Sequence, residues 1–113
     1  MYMNRIAPRG SQLYISNVDG SDLVPLMSNQ TNAFNYHANW SPDGNWIVFT
    51  SERRGDGQSD IYRIKPDGTS LESLVSTDVF EDGGVLSPDG TQLAFVSASI
   101  NYTANVFVKN LNG

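Results

Sequence analysis

The sequence has no cysteine and a single histidine, His37. Without thiols no disulfide can brace a small core, and one imidazole cannot form a histidine cluster for zinc. Positive charge is also scarce: Lys+Arg number 7 against Asp+Glu 12, a formal net charge of −5. The one basic doublet, Arg53-Arg54, is too small to neutralise a run of phosphates, which excludes nucleic acid as an expected partner. No uninterrupted apolar run approaches the length of a membrane span. No segment sustains a helical period, so no helix is predicted. A Gly-x-Ser-x-Gly nucleophile elbow is missing, and one histidine with no cysteine leaves nucleophilic catalysis little to work with. A phosphate-cradling loop is missing too, since Asp82-Gly83-Gly84 is acidic and opens a strand rather than a helix.

What the chain does have is turn residues, with 10 Gly and 5 Pro, and a repeat. Ser41-Pro42-Asp43-Gly44 recurs 46 residues on as Ser87-Pro88-Asp89-Gly90. At the same offset Phe34 falls on Phe80, Ile47 on Leu93, Phe49 on Phe95 and Ser51 on Ser97. After a one-residue deletion, Asp60-Ile61-Tyr62 falls on Asn105-Val106-Phe107. Gln12-Leu13-Tyr14 and Asp19-Gly20 precede Asp60-Ile61-Tyr62 and Asp67-Gly68 by 48 residues. The 113 residues therefore divide into a partial unit (1–33, its last strands), a complete unit (34–78) and a partial unit without its outer strand (79–113), all within one domain.

Each unit reads as short strands joined by hairpins. In Ser41-Pro42-Asp43-Gly44, Pro presets the first turn position, Asp tolerates the second and Gly takes the left-handed one. The turn joins a short first strand, Asn39-Trp40, to a second, Trp46 to Thr50, whose nearly continuous apolar run predicts burial on both faces. A polar loop, Glu52 to Ser59, leads to a third strand, Asp60 to Ile64, and Asp67-Gly68 turns the chain into a fourth that ends near Leu74 and Val75. Four strands in a period of about 45 residues describe a propeller blade.

The run Trp40-Ser41-Pro42-Asp43-Gly44, then Ile47-Val48-Phe49-Thr50-Ser51, Asp60-Ile61-Tyr62-Arg63-Ile64 and Asp67-Gly68, resembles the WD-like (PD40-type) repeat of TolB-like β-propellers. The resemblance implies an all-β fold: about two and a half four-stranded antiparallel blades of a propeller that is usually six- or seven-bladed. Related repeats build the propeller domains of prolyl-oligopeptidase-type peptidases, tricorn-type proteases and oligogalacturonate lyases, so a fold is implied more strongly than an activity. An open stack of blades exposes its flanks and its last edge. The expectation is a piece of a longer propeller, or else copies that complete one another.

Candidate site residues follow from blade position. In propellers of this type the segment before the inner strand lies at the mouth of the central channel, which places His37, Glu81 and Asp82 there as partner-binding candidates. The bland alternative is ordinary loop polarity with local hydrogen bonds. Arg53, Arg54 and Asp56 are second candidates, in the loop after the second strand. Asp56 and Asp60, four residues apart, match part of a calcium loop, yet a third acidic ligand and a terminal bidentate Glu are missing, so a solvated loop and no cofactor are expected. Channel histidines are metal ligands in the related lyases, but the further ligands are absent here, and no metal is assigned. Tyr14, Tyr62 and Phe107 recur at one blade position and are expected to pack in the core or between blades rather than to form a ligand platform, as are Trp40 and Trp46. Asn29-Gln30-Thr31, Asn101-Tyr102-Thr103 and Asn39-Trp40-Ser41 match the N-glycosylation acceptor pattern, the last disfavoured by Pro42. With the TolB-like resemblance they point to an extracellular or periplasmic protein, although no signal peptide precedes Arg5. The expected function is a non-catalytic scaffold for protein, peptide or glycan partners. The alternative is the propeller of a peptidase or an oligogalacturonate-lyase-like enzyme.

Overall fold

A computed structural model of the protein describes residues 2–7, 10–26, 34–52, 58–77, 80–98 and 104–111, with residues 2–7 and 10–11 described for the backbone alone. Among these residues all regular structure is strand: β1 (Tyr2–Ala7), β2 (Gly10–Ile15), β3 (Val24–Pro25), β4 (Asn35–Trp40), β5 (Ile47–Ser51), β6 (Asp60–Ile64), β7 (Glu72–Val75), β8 (Phe80–Leu86), β9 (Gln92–Ala98) and β10 (Ala104–Asn110). They form three antiparallel sheets, ordered β1-β2-β3, β4-β5-β6-β7 and β8-β9-β10. The architecture is all-β, as the strand and turn pattern predicts.

The sheets follow from local chemistry repeated along the chain. Ser41 Oγ donates to Asp43 Oδ1 at 2.7 Å and accepts the Trp46 amide at 2.9 Å. The Asn45 amide donates to the same Asp43 oxygen at 2.9 Å. Gly44, at φ 76°, takes the left-handed position that would strain any other residue. The second copy repeats the pattern, with Ser87 Oγ to Asp89 Oδ1 at 2.7 Å, the Thr91 amide at 3.1 Å and the Gln92 amide to Ser87 Oγ at 3.0 Å. Hydrogen bonds from Ser87 and then Thr91 favour the charged carboxylate and lower the Asp89 pKa to about 2, and bonds from Ser41 and Asn45 lower that of Asp43.

β5 lies between two cores, and every residue in it is buried. Ile47 and Phe49 face the first sheet and pack with Leu13, Leu26 and Ile64. Val48 faces the third sheet and packs with Ile61, Leu74, Val75, Leu86 and Leu93. This alternation is the period-two geometry of a strand whose two faces are both covered, as its unbroken apolar run predicts. Close approach is permitted by glycine at two places. A Cβ at Gly84 in β8 would sit 2.8 Å from Ile61 Cγ2, and one at Gly68 would sit 2.6 Å from the Leu26 carbonyl oxygen of the first sheet.

The inner strands are longer than the sequence predicts. β4 begins at Asn35, not Asn39, and its register with β5 shifts between Tyr36 and Asn39. The cause is a bulge at His37, whose φ of 55° breaks the alternation that would mark a strand in the sequence. β8 carries the same bulge between Asp82 and Val85, with Gly83 at φ 67°.

Candidate functional site

The bulged halves of β4 and β8 lie side by side and bring together residues 45 positions apart. His37 Nδ1 lies 2.8 Å from Asp82 Oδ1 and 3.0 Å from Oδ2. An ionised carboxylate only accepts, so Nδ1 carries the proton and Nε2 is the ring atom left for a ligand. Asp82 is itself fixed: Thr50 Oγ1, fully buried in β5, donates to Oδ1 at 2.7 Å, as does the Gly83 amide. The Tyr36 ring meets the imidazole edge-on at 4.9 Å between centroids. On the same strand, Tyr36 Oη donates to Glu52 Oε2, just past the end of β5, at 2.7 Å. Burial first, then that carboxylate, pushes the Tyr36 phenol well above its ordinary range and keeps it a neutral donor. Asn39 Nδ2 reaches the Gly84 carbonyl at 3.5 Å, which links the same two strands once more.

The histidine is held against a backbone preference. It occupies the repeat position of Gly83, where left-handed φ suits glycine, and a side chain with a Cβ there costs on the order of 1 kcal/mol. Its side chain remains 60% exposed and that of Asp82 23%. The ring is therefore oriented by a buried hydroxyl through a half-buried carboxylate, while most of its surface stays open to a ligand.

Not every predicted site residue joins this cluster. Glu81, expected beside His37 and Asp82 at the channel mouth, is 1% exposed and cannot meet a partner there. Successive strand residues point to opposite faces, so Asp82 facing His37 turns Glu81 inward. Arg53, Arg54 and Asp56 lie outside the described residues, as do Asn29 and Asn101. Asp60, paired with Asp56 in the calcium pattern, is fully buried at the start of β6. Sequence reasoning also missed Thr50. A hydroxyl inside a buried apolar strand was the available signal.

A family model described as the TolB beta propeller domain matches residues 6–113. The chain belongs to the TolB β-propeller family. An uncharacterized protein of Agrobacterium fabrum is 40% identical over 68 residues, covering 60% of this chain and 21% of its own. The Tol-Pal system protein TolB of Syntrophus aciditrophicus is 36% identical over 61 residues, covering 54% and 13%. A structure assigned as TolB from Agrobacterium tumefaciens superposes with a TM-score of 0.76 at 26% identity, over 91% of this chain and 38% of that one. Oligogalacturonate lyase in complex with manganese shares the fold, with a TM-score of 0.70 at 18% identity over 96% and 28%. The chain thus spans well under half the length of these relatives. β4 and β8 are the first strands of the second and third sheets, so the His37–Asp82 pair joins equivalent strands of adjacent sheets. Among the described residues no helix is long and apolar enough to cross a membrane.

Proposed function

We propose that this segment is a non-catalytic binding scaffold of an exported, periplasmic or extracellular TolB-like protein, and that it contacts a protein, peptide or glycan partner through the His37–Asp82 pair at the channel end. The observation that carries the reading is the oriented, exposed imidazole, held at left-handed φ by a carboxylate and a hydroxyl that belong to other strands. Rigid placement of a few polar groups is what recognition requires, and a strained backbone at such a position points to a role beyond packing. Arg53, Arg54 and Asp56 remain second candidates for partner contact.

The test is a screen of a random peptide library and an oligosaccharide array against the chain, repeated with His37→Ala and Asp82→Ala. Ligands of the parent that are lost with both variants support the site. Ligands that bind both variants as well as the parent refute it.

A further inference from the structure

Glu81 poses a problem that the His37 cluster does not solve. Its side chain is 1% exposed, and one carboxylate oxygen, Oε1, is buried without any hydrogen-bond partner. The other, Oε2, accepts from Thr77 Oγ1 and, at 3.4 Å, from Ser97 Oγ. A buried carboxylate with a bare oxygen is costly unless a charge or a donor meets it.

The blade does not itself demand an acid there. The second and third sheets each carry a polar row across their strands: Asn35–Ser51–Asp60 in the second and Glu81–Ser97–Asn105 in the third, each pair in register. The second sheet fills the inner-strand position with a neutral amide, Asn35, fully buried. The third sheet puts a carboxylate at the same place.

A second buried carboxylate is tied to Glu81 across the interface. Ser59 Oγ donates to the Glu81 carbonyl at 2.6 Å, and the Glu81 amide donates to the Ser59 carbonyl at 3.0 Å. Ser59 precedes Asp60, whose side chain is fully buried and accepts from Ser76 Oγ at 3.2 Å. Ser76 precedes Thr77, which returns to Glu81. Hydrogen bonds together with the chain links Ser59-Asp60 and Ser76-Thr77 thus close a ring, Asp60–Ser76–Thr77–Glu81–Ser59, that connects two buried carboxylates of adjacent sheets through hydroxyls and the Glu81 backbone, with no nitrogen or sulfur ligand among its side chains.

We propose that this ring is a calcium site between the second and third sheets, with Glu81 Oε1 as its leading ligand. An all-oxygen donor set selects a hard cation over zinc, copper or iron. Flexible hydroxyls and carbonyls suit Ca2+ better than the strict octahedron of Mg2+. With two carboxylates in place of the four or so of a tight loop, affinity falls in the weak range of extracellular modules, a Kd of about 0.1–1 mM. The site replaces the Asp56–Asp60 loop match: Asp60 stays a ligand-side residue, and its partner is Glu81. It is separate from the His37 cluster and independent of what binds there.

The test is thermal unfolding of the full chain after chelation, with CaCl2, MgCl2 or NaCl added to 10 mM at constant ionic strength, and calorimetric titration of Ca2+. Calcium should raise Tm by about 4 °C or more, with magnesium clearly less effective and one calcium bound per chain. Glu81→Gln substitutes the kind of amide tolerated at Asn35 and should abolish the calcium response. Asp60→Asn should weaken it about tenfold or more, and Asp89→Asn, in an exposed turn, should leave it intact. If Glu81→Gln fails to fold by circular dichroism, the titration of the parent chain decides. No saturable calcium binding overturns the proposal, as does an equal response to all three salts or a response that survives Glu81→Gln.

Discussion

A methyl group added at Gly84 tests how the second and third sheets meet. The new Cβ would lie 2.8 Å from Ile61 Cγ2, 3.1 Å from Val48 Cγ1 and 3.4 Å from Leu93 Cδ1. All three neighbours are buried, and two are β-branched residues whose methyls cannot swing aside without leaving their rotamer. The sheets must separate by a few tenths of an ångström, or Ile61 must rotate into its own core. Overpacking of this kind costs about 1–3 kcal/mol. Alanine recovers about 0.4–1 kcal/mol by restricting the unfolded chain. Gly84→Ala should therefore destabilise by about 1–2 kcal/mol, read as a lower urea midpoint with an unchanged slope. Ile61→Ala, which removes the offending methyl, costs about 2–5 kcal/mol alone through the cavity it leaves. Combined, the two should cost less than their sum by about 1 kcal/mol, because the new methyl fills part of that cavity. A Gly84→Ala protein as stable as the parent refutes the close approach. So does additivity within about 0.5 kcal/mol.

The other predictions are briefer. His37→Gly should be more stable than His37→Ala by about 1 kcal/mol, since both lose the bridge to Asp82 but only glycine relieves the left-handed φ; equal urea midpoints would show that His37 carries no backbone strain. Thr50→Val, close in shape, should cost about 1–3 kcal/mol by removing the donor to Asp82 from a buried site, and a neutral result in chemical denaturation would count against that hydrogen bond. Asp89 is held at a pKa of about 2, and Asp43 is lowered too, by bonds made only in the folded turns. Their stabilising effect is complete above the unfolded carboxylate pKa of about 3.9 and is lost as pH falls toward about 2. Thermal melts across that window should show a steeper decline for the parent than for Asp89→Asn, and parallel curves would contradict the assignment.

Much of the fold could be read in the sequence because the residues that build it act locally. Ser-Pro-Asp-Gly carries its own turn chemistry, and the apolar run of β5 announces two covered faces. The start of β4 could not be read, since Asn35-Tyr36-His37 is polar and the bulge that joins it to the strand depends on a partner strand. His37 was visible as an unusual residue before the hairpin. Its bond to Asp82 was not, because no local pattern specifies a contact across 45 residues. Glu81 was misplaced for a related reason: adjacent acids on a strand face opposite ways, and only the packing of β8 decides which one is buried. Aromatic residues divided similarly. Tyr62 packs against the first core and stacks on Phe49, whereas Trp40 is 42% exposed and Trp46 lies under the Arg63 guanidinium at 4.1 Å.

Because β5 contributes Ile47 and Phe49 to one core and Val48 to the other, neither core can melt while its neighbour stays whole. The three sheets then behave as a one-dimensional array whose two cores share a single five-residue segment. Amide hydrogens of β5 should exchange with solvent last and together, at a rate set by global unfolding, while those of β3 and β10 exchange through local fraying.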